Sequence, residues 1–173
     1  MSLRDDKFDI EELHTLFAHA ADRGDWVLAR SLYSDDAIDN HGEYNGPVDG
    51  YIEWAKQVVA AFEISAHIYQ RPLISVQGDK AESETRAQVF LRTKGSPAQD
   101  IIGIFRHFDR YVRTERGWRF SYRSICFDWA HSFPAVDARP SAGPDRLVGS
   151  MDDNDPFFSQ VPMLAAELRR IAG

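Results

Sequence analysis

In the N-terminal third of the chain apolar residues recur with a helical period, and from about residue 64 onward that period gives way to the alternation of sheet. Ile10, Leu13, Phe17, Ala20 and Ala21 fall on one helical face, with Asp9 and Glu12 reading as a capping box before it and Gly24 as the stop. A second short helix is expected over about 26–33, then a brief polar strand over 37–41 and a turn over 42–47. Pro47 suits the first turn of a third helix, whose Tyr51, Trp54, Ala55, Val58, Val59 and Phe62 form one apolar stripe.

Four strand-like runs follow, about 64–77, 80–93, 100–113 and 117–130, divided by Gly78-Asp79, Lys94-Gly95-Ser96-Pro97 and Glu115-Arg116-Gly117, which are turn chemistries. Three helices and then an antiparallel meander give an α+β order. A strongly curved sheet in this order can wrap the helices and leave a cone whose inner face carries His67, Phe105, His107 and Arg123. Past Trp129 the composition shifts. Residues 131–155 hold Pro134, Pro140, Pro144 and several aspartates and should be irregular, leaving 1–130 as the domain and 131–173 as an extension with a helix near 163–171. Phe157-Phe158 and that helix are placed to fold across the cone mouth or onto a neighbouring subunit. The run Ile101-Ile102-Gly103-Ile104-Phe105 alternates poorly, as a strand covered on both faces does, which points to a homo-oligomer.

With 173 residues, 43% of them hydrophobic, the chain suffices for one continuous core. A net charge of −7 argues against nucleic acid as a partner, because phosphate binding needs a basic face. Cys126 is the sole cysteine, so no intrachain disulfide or thiolate metal cluster can form, and a reducing cytoplasm fits. The N-terminus is polar and no apolar run is long enough to cross a bilayer, so a cytoplasmic protein without membrane attachment is expected. His14 and His19 are five apart on their helix and do not share a face as metal ligands would. Neither a phosphate-cradling glycine loop nor a Gly-x-Ser-x-Gly elbow occurs. Cofactor-free chemistry is the simplest expectation.

That chemistry centres on His67, within Ile64-Ser65-Ala66-His67-Ile68-Tyr69, and on Asp22 at the end of the first helix. A carboxylate can fix one imidazole nitrogen and leave the other as a base. Each residue also has a plainer assignment. Asp22 could bond the Arg23-Gly24 turn, Arg123 could pair with Asp109 or Asp128, and His107 could be a packed strand residue. Trp26, Tyr33, Phe105 and Phe127 belong mostly to the core, yet some aromatics must line any cavity, which then favours a flat or alicyclic apolar ligand.

The strings Ala21-Asp22-Arg23-Gly24-Asp25-Trp26, Leu32-Tyr33-Ser34-Asp35-Asp36-Ala37, Gly46-Pro47, Val76-Gln77-Gly78-Asp79, Asp109-Arg110-Tyr111 and Gly117-Trp118-Arg119-Phe120, with His67 and Arg123, resemble in order the SnoaL-like branch of the nuclear transport factor 2 superfamily. The resemblance covers about residues 8–130. It implies a cone-shaped α+β barrel with three N-terminal helices in a mixed, mainly antiparallel sheet. Within that superfamily the chain looks most like scytalone dehydratases and hexachlorocyclohexane dehydrochlorinases. By that likeness Asp22 and His67 are the base dyad and Arg123 supports developing charge or the leaving group; Trp26, Tyr33, Asn40, Phe105, His107 and Phe127 are the residues expected to contact a small hydrophobic cyclic substrate. It also implies a trimer in preference to a dimer. Ala21 and Asn40 stand where scytalone dehydratases carry water-holding tyrosines, which argues against scytalone as the substrate. The expected function is therefore a cofactor-independent, dehydratase-type lyase. An isomerase or cyclase using the same base, or a non-catalytic binding or assembly module, is the alternative.

Overall fold

The computed structural model describes residues 2–136 and 146–173. In chain order its elements are α1 (Leu3–Arg23), α2 (Trp26–Ser31), β1 (Tyr33–Asn40), β2 (Asn45–Pro47), α3 (Val48–Val59), β3 (Phe62–Tyr69), β4 (Leu73–Gln77), β5 (Lys80–Thr93), β6 (Gln99–Thr114), β7 (Gly117–Pro134), α4 (Phe157–Gln160) and α5 (Pro162–Ala172). The strand order is β2-β1-β7-β6-β5-β3, with β4 also on β5. Among the described residues every pairing is antiparallel except β1 with β7. The result is the expected α+β architecture, a mixed sheet curled into an unclosed cone with helices packed against it.

Helix α1 begins at Leu3 rather than at Asp9. Ser2 and Asp5 form the capping box, Asp5 N–H donating to Ser2 Oγ at 3.3 Å and Ser2 N–H to Asp5 Oδ2 at 2.9 Å, so Asp9 and Glu12 lie inside the helix. The other end stands as the sequence suggests, with Gly24 at φ 67°, a left-handed backbone that glycine adopts without Cβ strain. Helix α2 starts under the Asp25 side chain, which accepts from Leu28 N–H at 3.0 Å. It ends before Tyr33 because the sheet takes the chain there: Phe120 N–H donates to Leu32 C=O at 3.0 Å.

The sheet differs from a simple meander in two places. The run 64–77 is two strands broken before Pro72, both lying on the long strand β5. Strand β1 starts at Tyr33, ahead of the expected 37–41, and runs parallel to β7 with an irregularity between Tyr33 and Ile38. Strand β7 also continues to Pro134, pairing with β6 through Gln99 and Asp100, where irregular chain was expected from residue 131. The rest of the expected irregular stretch lies partly outside the described residues. Gly103 interrupts the alternation of β6 for a packing reason: a Cβ there would come within 2.4 Å of the Phe105 ring.

At the C-terminus, Asp155 accepts from Ser150 and Phe157 N–H and pairs with Arg23 at 3.3 Å, fastening the tail to the end of α1. Leu168 of α5 joins the main core and α5 packs on α2. That core also contains Ile10, Phe17, Tyr33, Tyr111, Trp118 and Phe120.

Within it sits a wholly buried cation. Arg123 grips Asp109 with two bonds, Nε to Oδ1 at 2.9 Å and Nη2 to Oδ2 at 3.2 Å, and its guanidinium lies 4.1 Å from the Phe120 ring centre and 4.3 Å from that of Phe17. Removing one partner of such a pair strands the other charge in the interior. Asp109→Ala is therefore expected to lower unfolding free energy by about 3–5 kcal/mol in urea titrations, and the Asp109→Ala/Arg123→Met double variant by less than the single; equal losses would contradict this account.

Candidate active site

A cavity of about 300 Å³ opens inside the cone, walled by α1, α3 and the inner faces of β3, β5, β6 and β7. Its size suits a molecule of one or two rings, being at the small end of the roughly 300–1,000 Å³ typical of ligand sites. Phe17, Trp26, Trp54, Phe62, Phe105 and Phe127 supply aromatic wall, and His41, His67, Tyr69 and His107 supply polar atoms. A larger groove of about 820 Å³ runs along Lys7, Glu11, Arg71 and Leu73, but no imidazole lines it.

His67 reaches this wall from β3. Its Nδ1 lies 2.6 Å from Asp22 Oδ1, while its backbone N–H donates to Asp22 Oδ2 at 2.8 Å and Ser65 Oγ–H donates to Oδ1 at 3.0 Å. Asp22 thus spends its oxygens on β3 rather than on the Arg23-Gly24 turn. Three donors fix the carboxylate, and the carboxylate fixes the ring. With Nδ1–H facing Asp22, Nε2 carries the lone pair.

Four other residues singled out from the sequence, Trp26, Phe105, His107 and Phe127, line the same cavity. Three do not. Tyr33 is buried outside it, donating to Asp39 Oδ2 at 2.8 Å, and Asn40 Oδ1 accepts the Gly42 N–H at 3.3 Å. Arg123 does not reach the lining because Asp109 and the two aromatic faces hold it behind Phe17; its guanidinium centre is 5.9 Å from the Tyr69 ring centre. Burial is the largest single influence and opposes its charge, but Asp109 together with Tyr69 and Tyr33 outweighs it, so its pKa lies above the ordinary value. None of the described residues of the tail beyond Pro134 lines the cavity.

Sequence reasoning missed His41, Tyr51 and Tyr69 as lining residues. Asp39 and His41 offered a signal, since positions two apart on a strand share a face. Burial pushes the phenols of Tyr51 and Tyr69 well above their usual range, so both stay protonated donors. His107 meets the Tyr69 hydroxyl through Nε2 at 3.5 Å, and its buried Nδ1 has no partner among the described residues. No group of three or more His, Cys, Asp or Glu able to hold a metal ion occurs among the described residues.

The chain belongs to the family of SnoaL-like domains, whose family model matches residues 3–124. Solved structures share the fold at low identity. The hexachlorocyclohexane dehydrochlorinase LinA-type3 of Novosphingobium barchaimii LL02 is 17% identical at a TM-score of 0.66, over 73% of this chain and 89% of its own. A protein of Novosphingobium aromaticivorans DSM 12444 named as a candidate scytalone dehydratase is also 17% identical, with TM-score 0.65 over 75% and 88%. A single-residue variant of Rv3472 of Mycobacterium tuberculosis, described as of unknown function, is 18% identical with TM-score 0.61 over 94% and 91%. No curated protein matches in sequence. Among the described residues no helix is long and apolar enough to cross a membrane.

Two of the cone's histidines are held neutral. Burial first, and the Arg123 charge second, push the pKa of His107 and of His14 well below the ordinary imidazole value. His14 Nδ1 faces Arg123 Nη2 at 3.3 Å and must accept, so its Nε2–H serves the Tyr111 hydroxyl at 2.8 Å. Unfolding lets both rings protonate below about pH 6.5, so the unfolded state binds more protons there and stability falls with acid. Each should cost about 1.4 kcal/mol per pH unit below pH 6.5, and none above it. Urea midpoints at pH 7.5 and 5.5 should show this loss, and His14→Gln should shrink it; an acid loss unchanged by His14→Gln would contradict it.

Proposed function

We propose that this protein is a cofactor-independent lyase that carries out a dehydratase-type elimination on a small hydrophobic cyclic compound. The observation that carries this reading is the 2.6 Å contact between Asp22 and His67 at the wall of an aromatic cavity. His67 Nε2 removes a proton from a carbon next to a carbonyl, Asp22 orients the ring and faces the positive charge it acquires, and the leaving group departs from the neighbouring carbon. Trp26, Phe105 and Phe127 hold the ring of the substrate. His107, neutral and with an unpartnered Nδ1, is the polar handle in the wall. Arg123 acts from behind Phe17, biasing the field of the cavity without contacting the substrate. Tyr33 and Asn40 shape β1 rather than the contact surface. An isomerase or cyclase needs the same base, and the products formed distinguish it.

Screening hydroxylated and halogenated ring ketones should yield enones. His67→Ala and Asp22→Asn should each slow that turnover by about 10²- to 10⁴-fold. Full activity in His67→Ala would remove the dyad from the mechanism, and wild-type binding without conversion would favour the binding-module alternative.

We also infer a homo-oligomer, trimeric before dimeric. Trp129, His131 and Phe133 stack in series at the end of β7, and Trp129 is 52% exposed, a hydrophobic edge that a second copy would cover. Light scattering after size exclusion should give about three chain masses; a monomer at micromolar concentration would rule assembly out.

A further inference from the structure

Asp39 and His41 form a second carboxylate–imidazole pair, and its imidazole lines the same cavity. His41 Nδ1 lies 3.0 Å from Asp39 Oδ1, and Asp39 is fully buried with its other oxygen held by the Tyr33 hydroxyl at 2.8 Å. The His41 ring lies against Tyr51, 4.9 Å between ring centres, and Trp54, 5.7 Å, and lines the cavity with both. As with His67, a fixed carboxylate orients Nδ1 and leaves Nε2 for a ligand. The two pairs stand well apart along the sheet: His41 follows directly on β1, and β7, β6 and β5 separate that strand from the His67 strand β3. Curling of the sheet turns both toward one space, with the neutral His107 between them, its ring centre 6.4 Å from that of His41.

We propose that His41 is a general acid that protonates a hydroxyl leaving group while His67 acts as base. This rests on the elimination reading above. The need for an acid follows from the leaving group: chloride or a carboxylate departs as an anion unaided, whereas hydroxide departs poorly until a proton makes it water. His67 Nε2 takes the α proton, the C–H electron pair becomes the new C=C bond, the C–O bond breaks, and the oxygen takes a proton from the His41 imidazolium and leaves as water. The His67 imidazolium then releases its proton to solvent, and His41 regains one from solvent. Asp39 is a positioning residue. Arg123, spent on Asp109, supplies no contact for an anionic leaving group, which agrees with water as the product.

The probes are 3-hydroxycyclohexanone and 3-acetoxycyclohexanone, which eliminate water and acetate to the same enone, followed by its ultraviolet absorbance. His41→Gln should slow elimination from the hydroxy ketone by about 10²-fold or more and from the acetoxy ketone by less than about fivefold, while His67→Ala slows both. Exchange of cyclohexanone α protons in deuterium oxide, which needs only the base, should survive in His41→Gln and show that the cavity is intact. Asp39→Asn should repeat the selective loss more weakly. Equal slowing of both probes by His41→Gln, or no slowing of either, would overturn the assignment of His41 while leaving the His67 reading standing. Wild-type protein that eliminates from neither ketone would instead defeat the elimination reading itself, and the role of His41 with it.

Discussion

A fully buried guanidinium has no water to solvate it, and the interior of this protein is arranged around that requirement. Arg123 projects from β7 and is met by Asp109 from β6, by the faces of Phe17 from α1 and Phe120 from β7, and by the lone pair of His14 from α1. Each contact answers part of the desolvation cost of the charge, and together they draw on α1, β6 and β7. The cation therefore does more than fill space. It ties the rotation and depth of α1 to the cone, because a helix seated elsewhere would withdraw Phe17 from the charge and leave His14 Nδ1 without its donor. That placement carries Asp22, at the other end of the same helix, to β3.

The position of Asp22 then follows from two local constraints. Gly24 ends α1 within two residues of it, so the carboxylate sits where the helix stops and β3 passes. Ser65 and the His67 backbone N–H already offer donors there, which makes the site a carboxylate receptor whatever the ring at position 67 does. The imidazole adds the third bond and inherits its orientation. Similar logic places His41: Asp39 is sealed by Tyr33, and Tyr33 is held because the chain leaves α2 directly into the sheet.

Much of this was legible in the sequence, and what escaped had physical reasons. The change from helical to alternating period located the helices and the long strands, and strand β5 matched the expected 80–93 span. The likeness to SnoaL-like proteins supplied the cone and the pairing of Asp22 with His67. Strand β1 was underestimated because Ser34, Asp35 and Asp36 have turn composition; parallel pairing with β7 and an irregularity accommodate them, and neither leaves a periodic trace. The fate of Arg123 could be stated only as alternatives, because a basic residue on an inner strand face is compatible with a ligand or an internal acid until the register sets Asp109 opposite it. Asn40 was singled out but its neighbours Asp39 and His41 were not, because a short polar strand edge resembles a solvated loop even though the two share a face. Only the burial of Asp39 marks the pair as a site.

The same cation divides the cone's histidines into two kinds. His14 and His107 lie within its field and have no carboxylate hydrogen-bonded to them among the described residues, so burial and Arg123 together keep them uncharged. Rings of that kind can donate or accept a hydrogen bond but are poorly suited to gaining a proton during turnover. His67 and His41 each have a carboxylate on Nδ1 and so have a fixed counter-charge for the imidazolium form. A reaction that moves a proton on at one point and off at another needs two such groups, separated by a region that does not itself take up charge. The strand order provides that separation, with His107 on β6 occupying the interval, and the curl of the sheet gives both ends access to a single ring-sized cavity. Under the proposed elimination, proton transfer falls to the two histidines with a carboxylate hydrogen-bonded to Nδ1, while the buried Arg123–Asp109 pair anchors the cone and helps keep His14 and His107 uncharged.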